Sequence, residues 1–234
     1  MENWLSIAAG IFLAIMILYG HYKGFIRLAV SATALIVTLF IVQTAMPQVT
    51  GFLKDNTGIA HAFEVGTKKT AGLNDETEIE QPAEQRSLIE NLSLPGQLKK
   101  ALLENNNNET YRILGVKTFN EYVTGYLSNS IINIVGFLIL FAIVFATLHI
   151  IVKWMDLVAR LPIICGINKL AGAALGAAEG IFFLWLLCFL VTALSGTHIG
   201  RILIAQIESS TWLSFLYNHN MLSSIVILAV KNIL

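Results

Sequence analysis

The sequence predicts an all-α fold: a polytopic membrane bundle of four transmembrane helices, a polar extracytoplasmic segment and interfacial C-terminal helices. Three observations predict it. Of 234 residues, 56% are hydrophobic and 13% are charged, whereas an ordinary soluble domain carries about 25% charged residues. Mean hydropathy is +0.69. Four apolar stretches approach or exceed the roughly 20 residues that a helix needs to cross a hydrocarbon layer about 30 Å thick.

The first stretch covers 4–19, with Trp4 and Tyr19 at its ends, where interfacial aromatics belong. Its leader, Met1-Glu2-Asn3, has no basic residue and no small-residue cleavage site follows, so a retained helix is expected rather than a signal peptide. Gly20-His21-Tyr22-Lys23-Gly24 then reads as a connecting loop. The second stretch covers 25–45 and is expected to stop before Pro47, since proline lacks the amide donor that a helix needs. The third covers 131–152, and 116–127 keeps a helical pattern that extends it outward. The fourth covers 170–194 and holds one charge, Glu179, before the helix-stopping Ser195-Gly196-Thr197.

Residues 67–85 form a polar, acidic tract that reads as a flexible loop. Asn105 to Asn108 is a second loop candidate. Between them, 87–103 carries apolar residues at helical spacing, broken by Pro95-Gly96 into two short amphipathic pieces. These are expected to pack on the membrane surface or on the bundle, being too small to bury a core of their own. In the tail, 199–207, 212–217 and 221–230 are each too short to span and read as helices lying in the interface. The chain thus divides into a first transmembrane hairpin at 1–46, a polar segment at 47–127, a second hairpin at 128–195 and an interfacial tail at 196–234.

Lys and Arg gather in the two short loops: Lys23 and Arg27 at the first, Lys153, Arg160 and Lys169 at the second. Basic short loops stay in the cytoplasm, and long polar segments translocate largely regardless of charge. The amino terminus and 47–127 are therefore expected outside.

Net charge is zero, so no basic excess points to nucleic acid. Cys165 and Cys188 lie in or beside apolar stretches and show no ligand spacing. The five histidines, His21, His61, His149, His198 and His219, are scattered. No metal and no cofactor is expected. The sequence lacks GxSxG, HExxH, Walker A and GxGxxG patterns, so no enzyme is expected either.

The strongest local pattern is Gly172-x-x-x-Gly176-x-x-x-Gly180, which aligns three glycines on one helix face. Small side chains let a second helix backbone come close, and dispersion then drives association in lipid. The second helix is either internal or supplied by another copy or another membrane protein. Glu179 sits beside this face. A carboxylate at that depth is costly and faces a cavity or a partner. Lys23, Arg27 and Lys169 are candidate partners for a structural ion pair; a proton, ion or headgroup site is the alternative. His149, Lys153, Asp156 and Arg160 recur at spacings of four, three and four and share one face. They anchor the helix at the interface or line a vestibule. His149 alone reads as a packed, hydrogen-bonded histidine.

Two motifs together resemble a known family. Gly20-His-Tyr-Lys23-Gly24-Phe25-Ile-Arg27 is similar to the G-x-x-R-G-F-x-R signature of the colicin V production protein family. Asn168-Lys169-Leu170-Ala171-Gly172, running on to Gly176 and Gly180, resembles that family's D-R-x-x-G-x-x-x-G-x-x-x-G stretch. Leu216-Tyr217-Asn218-His219-Asn220-Met221-Leu222 resembles its closing segment. Lys23, Leu28, Asn168 and Glu179 depart from the residues common there. The resemblance implies a bacterial inner-membrane protein linked to toxin production or export and to envelope homeostasis. Some relatives carry a serine protease after the same four helices, and none is expected here. Two modes of action follow as expectations. One is non-enzymatic packing with itself or a partner. The other is a small conduit using Glu179 and the His149 to Arg160 face.

Overall fold

The computed structural model describes residues 3–55, 79, 81–92, 94–154 and 166–223. We number its helices in chain order: α1 (Trp4–Lys23), α2 (Phe25–Asp55), α3 (Pro82–Asn91), α4 (Gly96–Glu104), α5 (Asn108–Leu114), α6 (Phe119–Trp154), α7 (Ile167–Ala193), α8 (His198–Glu208) and α9 (Thr211–Asn218). No strand occurs among the described residues. Four helices are long and apolar enough to cross a membrane: α1, α2 through Lys54, α6 through Ile151, and α7. The protein is an all-α polytopic membrane protein. The acidic tract at 67–85 and the segment 221–230 fall wholly or largely outside the described residues.

Local chemistry sets the helix ends. Asn3 accepts from the Ser6 amide at 3.1 Å and starts α1, satisfying one of the amides that a helix start leaves without a partner. Gly24 ends it at φ +77°, with its amide on the Gly20 carbonyl at 2.8 Å. Thr118 and Glu121 open α6 as a reciprocal cap. The Glu121 amide donates to Thr118 Oγ1 at 3.2 Å, and Glu121 Oε2 accepts the Thr118 amide at 3.4 Å and the Lys117 amide at 2.8 Å.

Three differences from the sequence reading have physical causes. Residues 20–23 are the last turn of α1 rather than loop, and Gly24 alone separates α1 from α2. The second helix does not stop at Pro47 but runs on to Asp55. Packing beyond the proline offsets the lost hydrogen bond: Met46, Val49 and Leu53 cover Gly136 of α6, and Thr50 Oγ1 donates to Asn133 Oδ1 at 2.7 Å. The asparagine run is structured as well. Asn107 accepts from the Thr110 amide at 2.9 Å and starts α5, while Asn106 joins Gln85 and the Tyr111 hydroxyl. The amphipathic pieces at 87–103 take one of the two expected placements: they pack on α6 and share a core with it. Ile89, Leu102, Tyr122 and Val123 are fully enclosed there, and the Tyr122 hydroxyl donates to the Leu102 carbonyl at 2.7 Å. The 36 residues of α6 span about 54 Å at about 1.5 Å per residue, which exceeds a bilayer core. Its first turns therefore serve this second core, and from Phe119 they continue the third apolar stretch as the helical pattern at 116–127 anticipated.

The chain forms two compact units. One comprises Met1–Ala45 with Leu138–Leu187, the other Met46–Phe137 with Cys188–Leu234. In the first, α6 and α7 meet through Phe141, Phe145, Phe182 and Phe183, with ring centroids 5.7 Å apart for Phe141–Phe182 and 6.0 Å for Phe145–Phe183. In the second, Phe137 packs edge-on against Phe189. There α8 turns Ile204 and Ile207 inward, and α9 does the same with Leu213 and Tyr217. Tyr217 meets the Thr192 hydroxyl at 3.1 Å, and Asn218 Oδ1 accepts from the Gly96 amide at 2.9 Å.

Candidate functional site

The glycine face of α7 closes on α1 of the same chain. A Cβ placed on Gly172 would meet the Gly20 carbonyl oxygen and come within 2.9 Å of the Gly24 Cα. One placed on Gly176 would meet the Met16 carbonyl oxygen and stand 3.1 Å from the Gly20 Cα. Gly180 faces side chains instead, with Leu13 Cδ2 at 3.0 Å and Met16 Cβ at 3.1 Å from such a Cβ. Two turns of α1 and α7 thus approach backbone to backbone, as only residues without side chains permit. Of the two readings left open for this face, the structure contains the internal one. The receiving groove is built by Met16, Gly20 and Gly24.

Asn168 lies in the first turn of α7 and joins the two family-like motifs. Its Oδ1 accepts from the Ile26 amide at 3.1 Å, and its Nδ2 lies where a Gly24 side chain would go. Asn168 is buried. It does for α2 what an N-cap residue does for its own helix, from a distant part of the chain. The other motif residues point away. Lys23, Phe25, Arg27 and Lys169 are exposed, and the Lys23 ammonium sits 5.5 Å from the centre of the Tyr19 ring. The motif is two-sided, with glycines inward and cations outward.

Glu179 is 6% exposed, in a helix long and apolar enough to span a membrane. The hydroxyl of Ser31 on α2 reaches its carboxyl. Its Oε1 is buried and accepts no hydrogen bond among the described residues. The expected cations do not supply a partner: Lys23, Arg27 and Lys169 extend outward instead. Long cationic side chains near a helix end gain more by reaching water than by entering the bundle.

The histidine face is only partly described. His149 packs on Phe145 with ring centroids 4.9 Å apart. Its Nδ1 is buried and has no hydrogen-bond partner among the described residues. Lys153 lies in the last turn of α6, but its side chain, Asp156 and Arg160 lie outside the described residues. The described residues contain no group of three or more His, Cys, Asp or Glu able to hold a metal. Cys188 is buried with a free thiol.

Sequence reading missed the Thr50–Asn133 pair, in which both side chains are nearly sealed from solvent. A signal existed: Asn133 lies inside the third apolar stretch, where a polar side chain seeks a partner on a neighbouring helix.

Comparison with known proteins bears on these motifs. A family model described as colicin V production protein matches residues 112–221. That range includes Asn168, Gly172, Gly176, Glu179 and Gly180, and most of the tail motif, but not the Gly20 to Arg27 motif. The chain is also similar to uncharacterized transmembrane protein YshB of Bacillus subtilis (strain 168), at 34% identity over 73 residues. That stretch is 31% of this chain and 41% of the relative. The chain therefore covers less than half of that relative's length. No solved structure matches the chain. Residues 112–221, just under half of the chain, thus resemble the colicin V production protein family.

Proposed function

We propose that this protein supports toxin production or export and envelope homeostasis from a bacterial inner membrane. It does so without an enzymatic step, through contacts of its helices with another membrane component. The family match over 112–221 is the observation that carries this reading. The closed α1–α7 seam supports its helix-packing part. With Gly172, Gly176 and Gly180 occupied by α1, a partner or a second copy is met by other faces, such as the exposed ridge of Ile7, Ile11, Ile15 and Leu18 on α1. In this reading the amino terminus and the 47–127 segment lie outside and the short basic loops inside.

The test is a chromosomal deletion in the host, scored for secreted toxin and for an envelope-stress reporter. The wild-type gene should restore both, and Gly20→Leu, which blocks the seam, should restore neither. A deletion strain indistinguishable from its parent in both readouts removes the proposal. Single cysteines at Lys100 and Lys23 test the orientation. A membrane-impermeant thiol reagent added to intact cells should label the first and spare the second.

A further inference from the structure

Glu179 is a buried carboxyl, 6% exposed, among apolar helices. Three elements surround its turn of α7. From α1, Leu13 and Met16 meet the neighbouring Gly180. On the α6 side, Phe141 meets Phe182 and Phe145 meets Phe183. From α2, Ser31 presents its hydroxyl to the carboxyl itself. Among the described residues of this compact unit, the other charged and titratable side chains are directed elsewhere. Tyr19, His21, Tyr22 and Lys23 on α1, Arg27 on α2 and Lys169 on α7 are exposed, and His149 on α6 rests on Phe145. An ionised carboxylate enclosed this way, with no cation beside it among the described residues and one oxygen accepting nothing, carries a large desolvation cost. A structural ion pair does not offset it, because among the described residues none is formed. The atom that neutralises such a group most compactly is a proton on Oε1 or Oε2, and Ser31 then serves either form, donating to a carboxylate or accepting from an acid.

We propose that the Glu179 carboxyl and the Ser31 hydroxyl form an intramembrane proton-binding site between α2 and α7, which takes up a proton from solution and releases it again. This goes beyond the export role above and does not depend on it. The site turns a carboxylate that lipid would otherwise exclude into a load that the bundle carries in neutral form.

Dicyclohexylcarbodiimide reads such a site directly. It partitions into lipid and reacts with a protonated carboxyl. The acid's proton passes to a carbodiimide nitrogen while the carboxyl oxygen bonds the central carbon, and the O-acylisourea so formed rearranges to a stable N-acylurea. Purified full-length protein in phosphatidylethanolamine–phosphatidylglycerol vesicles is treated across a pH series, digested and weighed. The adduct is expected on the peptide containing Glu179, with a yield that falls roughly tenfold per pH unit above the midpoint. It should be absent from that peptide in Glu179→Gln. Ser31→Ala should displace the midpoint, and an unmoved midpoint overturns the share assigned to Ser31. A Glu179 peptide left unmodified at every pH, or modified equally at every pH, overturns the site. The wild-type series decides this even where Glu179→Gln fails to fold.

Discussion

Asn168 Oδ1 accepts a hydrogen bond from the Ile26 backbone amide at 3.1 Å, across 142 positions of sequence. One carboxamide therefore starts α2 from the first turn of α7. Removing it leaves a helix-start amide without its partner. Asn168→Ala should lower stability by about 1 kcal/mol, as N-cap deletions do. Asn168→Asp keeps the acceptor and adds a negative charge at a helix N-terminus, which is favourable there. It should therefore match or exceed the wild type. Thermal unfolding in a mild detergent checks both. Equal melting of the alanine variant and the wild type would show that the contact carries no stability.

The three glycines of α7 should not respond alike. Gly172 and Gly176 face backbone atoms of α1, which cannot step aside, whereas Gly180 faces the side chains of Leu13 and Met16. Alanine at 180 should cost about 1 kcal/mol, and alanine at 172 or 176 about 3 kcal/mol or the fold itself, by the usual range for overpacking. Denaturation of the three variants side by side gives the order. A uniform cost across them would contradict the observed approach.

Thr50 and Asn133 form a buried pair at 2.7 Å. Thr50→Val leaves the Asn133 oxygen without its donor. The expected loss is about 1 to 2 kcal/mol, near the upper end measured for hydrogen bonds between membrane helices. Replacing Asn133 by leucine in the same background should recover part of it, since two apolar groups need no partner. A double-mutant cycle measures the coupling.

Tyr217 gives a pH dependence. Its burial, aided by the nearby Cys188 and Glu208 and opposed by its bond to Thr192, pushes the phenol well above the ordinary tyrosine value. In the unfolded chain the same phenol ionises near pH 10. The folded state therefore holds its proton where the unfolded state loses it. This contribution is fully present below about pH 10 and is lost as pH rises beyond it. Alkaline titration followed by tyrosinate absorbance should show Tyr217 ionising only as the protein unfolds. Tyr217→Phe should remove that step and cost about 1 kcal/mol through the lost Thr192 bond.

Much of this protein was legible in its sequence for a specific reason. Hydrophobic length is a local property, and a bilayer reads it directly. The four membrane helices, the helical extension of the third and the stop at Ser195-Gly196-Thr197 all follow from runs of neighbouring residues. Gly172, Gly176 and Gly180 were legible as a packing face because four-residue spacing places them on one side of any helix. Two helix ends were misread because their outcome depends on distant residues. Pro47 sits inside α2 where Thr50, Val49 and Leu53 have partners on α6, and Gly20 to Lys23 continue α1 where α7 receives them. The Thr118–Glu121 cap was readable and was passed over.

By itself the sequence determined the class of solvent, which stretches are long and apolar enough to cross a membrane, and which residues were small, polar or charged. It also carried the family resemblance. Tertiary structure alone decided which helix fills the glycine face, that Asn168 caps α2, that Asn133 has Thr50, and that Glu179 has Ser31 but no cation among the described residues. The physical reason is that periodicity along one helix assigns a residue to a face. Only the packing of helices distant in sequence decides what that face meets.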